Sequence, residues 1–211
     1  MAHVVLLGDS VFDNGAYVGA GPDVIAQVRE RLPTGSTATL AAVDGALIGD
    51  VARQMARVPA DTTHLVVSAG GNDALMHSGV LAERAGSMAE ALDRLRAIST
   101  YFEREYGALL ETVVARRLPT AVCTIYYPRY PEPVRQRLAV QALAVPNDVI
   151  LRHAFARGLP VLDLRLICDR DEDYANPIEP SSVGGAKIAD AIVRLLATHD
   201  FRRGRTEVYA R

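Results

Sequence analysis

Residues 4–15 read VVLLGDSVFDNG, and the fold follows from how that stretch is read. Val4–Leu7 are continuously apolar, and Gly8 then opens a turn carrying Asp9, Ser10, Asp13 and Asn14. A run this short with no polar alternation is a strand covered on both faces, as in a parallel sheet. The same pattern recurs at Ala38–Ala42, Leu65–Ser68, Ala121–Tyr126 and Val161–Leu164.

Helical periodicity fills the intervals. Asp23–Leu32 puts Val24, Ile25, Val28 and Leu32 on one face and stops before Pro33. Ile48–Val58 follows the second strand. Ser87–Arg117 reads as two helices, or as one broken near Ser99. Val134–Arg157 is helical with an interruption around Pro146, because the residue before a proline is pushed out of the α region. Ser182–Ala197 closes the pattern with Ile188, Ile192, Leu195 and Leu196 facing inward. This alternation predicts one α/β domain over residues 1–198, a three-layer α/β/α sandwich on a five-stranded parallel sheet of order 2-1-3-4-5. Residues 199–211 read as a charged, unpatterned tail.

Composition narrows the function classes. The chain has 211 residues, 49% hydrophobic and 23% charged, with a net charge of −2, which argues against a nucleic-acid footprint. No apolar run approaches the ~18 residues of a membrane span. The chain enters a strand at once with no leader-like pattern, so a cytoplasmic protein is expected. Cys123 and Cys168 lie in apolar, strand-like surroundings and read as reduced core thiols. Neither a cofactor nor a metal is expected, and the chain reads as a monomer or small homo-oligomer.

In an open parallel sheet, sites form beyond the carboxyl ends of the strands. Four segments meet there: GDSVFDNG after the first strand, VDGALIGD after the second, AGGNDALMH after the third and NPIEPSSVGG before the last helix. Ser10 is a candidate nucleophile. Nearby backbone amides, the amide of Gly45 and the side chain of Asn72 are candidate donors to a developing oxyanion. Each motif alone reads more readily as a turn, with Asp9 and Asp73 capping local amides, and their coincidence at equivalent strand ends favours a site.

Together the segments resemble the SGNH, or GDSL-type, hydrolases. The first block stands as Gly8-Asp9-Ser10, the second-block glycine as Gly45 and the third block as Gly70-Gly71-Asn72-Asp73. The resemblance implies Ser10 as nucleophile and first oxyanion donor, with Gly45 and Asn72 as the other two. It further implies hydrolysis of a carboxylic ester or O-acyl group, on a small-molecule substrate.

The fourth block departs from the family. Where the pattern has Asp-x-x-His, this chain has Asn176-Pro177-Ile178-Glu179. Loss of both members is chemically consistent, because the aspartate serves to orient an imidazole and a carboxylate base has no tautomer to fix. A Ser10–Glu179 dyad would need the glutamate raised from its usual value of roughly 4.3 toward 6–7. Three alternatives stand beside it. Glu179 caps the last helix; His77, the one histidine at this edge, serves as base; or the chain is a pseudoenzyme that binds an acyl or carbohydrate ligand. Asp13, Asp44, Asp73 and Glu179 have no metal-ligand spacing and read as turn and cap residues. Phe12, Tyr126 and Tyr127, with Tyr17 and Tyr130, are expected to line the substrate pocket, and Arg129 to meet an anionic group.

Overall fold

The computed structural model describes residues 1–210. Its central sheet has six parallel strands: β1 (His3–Gly8), β2 (Thr37–Leu40), β3 (His64–Ser68), β4 (Thr120–Cys123), β5 (Val161–Leu162) and β8 (Val208–Tyr209). Their order is β2-β1-β3-β4-β5-β8. In register, Val5 stands beside Thr39 on one side and Leu65 on the other.

Strand alternation divides the core into two layers. Val4 and Leu6 pack with Val24 and Val28 of α1 (Val24–Arg31) and with Ile188 and Ile192 of α8 (Ser182–Thr198). Val5 and Leu7 point the other way. They meet Val51 and Met55 of α2 (Val51–Met55), Tyr106 and Leu110 of α4 (Met88–Val114), and Ile150 of α6 (Ala144–Arg157). All four strand residues are fully buried, which is why the run carries no polar alternation. Burying each such side chain contributes about 1.5–3 kcal/mol.

Several boundaries differ from expectation. Ser87–Arg117 holds one unbroken helix, α4, whose N-cap Ser87 accepts from the Glu90 amide. Ser99 lies inside it, since a helical serine costs only a few tenths of a kcal/mol more than better helix formers. The interruption in 134–157 falls at Leu143, between α5 (Pro133–Ala142) and α6. Pro146 is the third residue of α6, where the missing N–H would have had no intrahelical partner. The Ile48–Val58 helix is a 3-10 turn, Ile48–Asp50, followed by the short α2. The fifth strand ends at Leu162 because Asp163 caps α7 (Leu164–Ile167).

The sheet has six strands where five were expected. Val208 and Tyr209 pair with Val161 and Leu162, so the segment after His199 is patterned enough to close the β5 edge. His199 Nδ1 lies 3.0 Å from Glu207 Oε2 and its ring packs edge-on against Phe201, which secures the approach to β8. Among the described residues no helix is long and apolar enough to cross a membrane.

Two further elements complete the site edge: α3 (Gly71–Met76), after β3, and an antiparallel hairpin of β6 (Tyr174–Asn176) and β7 (Glu179–Pro180) before α8.

Candidate active site

Gly8 ends β1 with φ +127°, and a Cβ placed there would stand 1.6 Å from the carbonyl oxygen of Ser68 on β3. Only glycine lets the chain leave the sheet so close to its neighbour. The turn then closes through Phe12 N and Asp13 N, both donating to the Asp9 carbonyl at 3.1 Å. Ser10 sits in this turn, 7% exposed.

Two buried amides brace the turn. Gln54 on α2 accepts from Gly8 N at 2.7 Å and donates from Nε2 to Gly8 O at 2.7 Å. Asn14 accepts from Val24 N at 2.9 Å and donates from Nδ2 to the carbonyl of Pro180 at 3.1 Å. Pro180 follows Glu179 on β7, so Asn14 links the serine loop to the segment that presents Glu179.

Asn176 is exposed on β6 and shapes that segment. Its Oδ1 accepts from Ile178 N at 2.9 Å and Glu179 N at 3.0 Å, an Asx turn that folds β6 back onto β7. The Tyr126 hydroxyl donates to the Ile178 carbonyl and secures the hairpin from beneath.

Glu179 is 7% exposed, and its Oε2 is buried without a hydrogen-bond partner. Burial pushes its carboxyl up to about 7, opposed by the nearby Ser10 side chain and reinforced by the negative charge of Asp44. Helix capping falls to another residue: Ser181 Oγ accepts from Val183 N at 3.1 Å and Gly184 N at 3.2 Å at the start of α8.

Asp9 lies behind Ser10, its Oδ1 accepting from Val11 N at 3.2 Å. Burial pushes it up to about 7, with the charges of Glu179 and Asp73 adding to the rise and the Val11 amide opposing it. Asp73 is raised by burial as well, against the pull of the Ile48 amide 3.0 Å from its Oδ2.

Asn72, in the first turn of α3, donates from Nδ2 to the Ala46 carbonyl at 3.0 Å. An amide side chain carries two N–H bonds, so this contact leaves one for another acceptor. Asp9, Ser10, Asn72, Asp73, His77, Tyr126 and Glu179 all line one cavity of about 480 Å³. Gly45 does not. It is exposed with φ +75° and lines a separate recess of about 220 Å³ beside Arg53 and Arg57, joined to the cavity through the Asn72–Ala46 bond.

Other expected residues fall elsewhere. Phe12 is fully buried in the core beneath β1, where the turn needs an apolar anchor, and is not in the cavity wall. Tyr127 stays outside the cavity and gives its carbonyl to Tyr174 Oη at 2.7 Å. Arg129 is held by the Asp169 carbonyl and by Asp171 while stacking on Tyr174. The His77 ring packs edge-on against Tyr101, with Nε2 buried and unpartnered.

A model of the GDSL-like lipase/acylhydrolase family matches residues 6–186. The chain belongs to that family. Its GDSL-like fold is shared with an extracellular lipase from Streptomyces rimosus, at 19% identity and a TM-score of 0.66 over 95% of this chain and 100% of that one. A lipolytic protein of the G-D-S-L family from Veillonella parvula is similar at 14% identity, TM-score 0.70, over 94% and 100%. The psychrotrophic esterase EstA from Pseudoalteromonas sp., in a structure inhibited by monoethylphosphonate, is similar at 15% identity, TM-score 0.61, over 94% and 100%. These likenesses are of fold. No curated protein sequence matches the chain.

Sequence reading of this GDSL-like chain passed over Gln54 and Asn14. Gln54 carried a signal: it is a lone polar residue inside the buried stripe of Val51 and Met55. Asn14 stood in the opening stretch itself, but the partner it holds is 166 residues away.

Proposed function

We propose that this chain is a carboxylic-ester hydrolase in which Ser10 attacks the acyl carbon and Glu179 is its base. The observation that carries the reading is that Ser10 and Glu179 line one cavity, with the Ser10 side chain near enough to act on a Glu179 carboxyl that burial has pushed up to about 7. A general base is most effective with a pKa near the working pH, and an ordinary glutamate is too acidic for that role.

In the first half-reaction the bond from Ser10 Oγ to the acyl carbon forms, and the Oγ proton passes to Glu179. The carbonyl oxygen becomes an oxyanion, for which the Ser10 amide and the second Asn72 N–H are the donors, with Gly45 reaching it only if its loop moves inward. Collapse expels the alcohol, which takes the proton back from Glu179. Water repeats the sequence on the acyl-serine and releases the acid. An ionised Glu179 opposes the oxyanion until the proton has moved, and then becomes neutral. That order suits a carboxylate base, and it leaves Asn176 with a structural task, the Asx turn that presents Glu179.

A serine-directed alkyl phosphonate, read by intact mass, tests the reading. Wild type should gain one adduct, Ser10→Ala none, and Glu179→Gln an adduct formed at least tenfold more slowly. An unlabelled wild type removes the dyad and leaves the binding-only alternative, whereas a Glu179→Gln variant labelled at the wild-type rate removes Glu179 as base and points to His77.

A further inference from the structure

The cavity beside Ser10 is walled by apolar side chains that pack on empty space. Leu95, Ile98 and Phe102 follow one another at helical spacing along α4, and Leu75 of α3, Leu81 of the Ser78–Ala82 turn and Leu138 of α5 face the same space. No residue of α4 before Phe102 is buried, and no residue of α5 is buried at all. Protein interiors pack to crystal-like density, and a void leaves its lining without contacts on one side. Two helices leaning over about 480 Å³ with their apolar faces unpacked therefore describe a wall whose contents come from outside the chain.

We propose that the occupant is a straight alkyl chain, and that the acyl group of the substrate ester carries about ten carbons. At roughly 30 Å³ for a methylene-sized volume, comparable to a water molecule's share of the liquid, ten carbons need about 300 Å³. The rest admits the carbonyl at Ser10. A sugar would meet few partners along Leu75, Leu81, Leu95, Ile98 and Leu138, and each of its buried hydroxyls would lose its hydrogen bonds to water. The ester part of the proposal rests on the hydrolase reading; the alkyl-chain site does not.

The test separates the two. The chain contains no tryptophan, so Leu95→Trp on α4 and Leu138→Trp on α5 each add bulk and a single fluorophore to the cavity lining. Leu138 lies on α5, where nothing is buried, which makes its substitution compatible with folding even if the α4 variant fails. The probe is 1-decanol, neutral so that Asp9 and Glu179 do not repel it, with 1-butanol as the control. At about a hundredfold excess over its dissociation constant, decanol should raise the wild-type Tm by about 5–10 °C. The shift should fall below half in the tryptophan variants, and butanol should give almost none.

A flat decanol response, or an equal shift in wild type and both variants, overturns the alkyl-chain site. Turnover is read separately on p-nitrophenyl esters from acetate to decanoate. If chain burial is used, kcat/KM should rise about fourfold per added methylene over the first several. Decanol binding without hydrolysis of any ester leaves the chain site standing and removes the hydrolase reading. Acetate hydrolysis without decanol binding does the reverse.

Discussion

Asn14 Nδ2 lies 3.1 Å from the carbonyl oxygen of Pro180, and this bond joins the loop that carries Ser10 to the strand that carries Glu179. The two loops come from opposite ends of the chain, and the alignment of any dyad depends on their spacing. Asn14 is fully buried, so removing its amide strands the Pro180 carbonyl and the Val24 amide away from water. Asn14→Ala should cost about 2 kcal/mol, a fall in Tm of roughly 4–8 °C for a chain of this size. Phosphonate labelling of Ser10 should slow at the same time, at a temperature where the variant is still folded. A destabilised variant labelled at the wild-type rate would confine Asn14 to holding the fold.

Gly8 and Gly45 both have positive φ, and they should respond differently to alanine. At Gly8 the new Cβ would meet the Ser68 carbonyl at 1.6 Å, and β1 and β3 cannot part without breaking the sheet. At Gly45 a Cβ finds nothing within 4 Å. Gly45→Ala should cost about 1 kcal/mol in backbone strain alone, whereas Gly8→Ala should exceed 3 kcal/mol or yield no soluble protein. Urea denaturation of the pair measures the difference.

The sequence showed the middle of the sheet and its β2 edge plainly, and its β8 edge not at all. Val4–Leu7 and Leu65–Ser68 are buried on both faces, so their composition alone marks them as strands. Val208–Tyr209 is two residues long, too short for any period to show, and its place depends on the Glu207–His199 contact. At the site, Ser10, Asn72 and Glu179 were visible as residue types at strand ends. The bracing roles of Gln54 and Asn14 depend on which backbone atoms lie opposite them, and spacing does not encode that. Phe12 was misplaced because an aromatic beside a nucleophile loop is as often the anchor of the loop as the lining of a pocket.

The short β8 gives a third prediction. Truncation after Gly204 removes Glu207, Val208 and Tyr209, uncovers the β5 edge and strips His199 of its partner. Tm should fall by at least 4 °C, with faster amide exchange at Val161 and Asp163, whose N–H groups donate to the Glu207 and Tyr209 carbonyls, and little change at Val5 and Leu65 in the middle of the sheet. Uniform loss of protection across all strands would show the tail to be part of the global folding unit.

Asp9 makes its own contribution to how stability varies with pH. Its folded-state pKa is raised from 3.8 to about 7, chiefly by burial. The native state therefore holds its proton over a range in which the unfolded chain has released it. Its contribution to stability is greatest below about 4, falls as pH rises toward 7, and levels off above that. The raised carboxyl of Glu179 adds to the same slope. Asp9→Asn keeps an oxygen for the Val11 amide and removes one titration, so its stability should vary less between pH 4 and 7. Urea melts at pH 4, 5.5 and 7 give the comparison, and an unchanged slope would place the Asp9 pKa near its ordinary value.

The pH profile of activity bears most directly on Glu179. As base it must be ionised in the free enzyme, so kcat/KM should rise with pH and reach a plateau above about 7, the value to which burial pushes it. Glu179→Gln should lose this limb and about a hundredfold or more of the rate, within the usual span for a general base. Glu179→His would put the family's residue back without its aspartate. It should recover part of the loss, with the rising limb moved toward the ordinary histidine value of roughly 6.5. If His77 were the base, Glu179→Gln would keep the wild-type limb and His77→Gln would abolish it. Rate profiles of the three variants between pH 5 and 9 therefore assign the proton to one side chain.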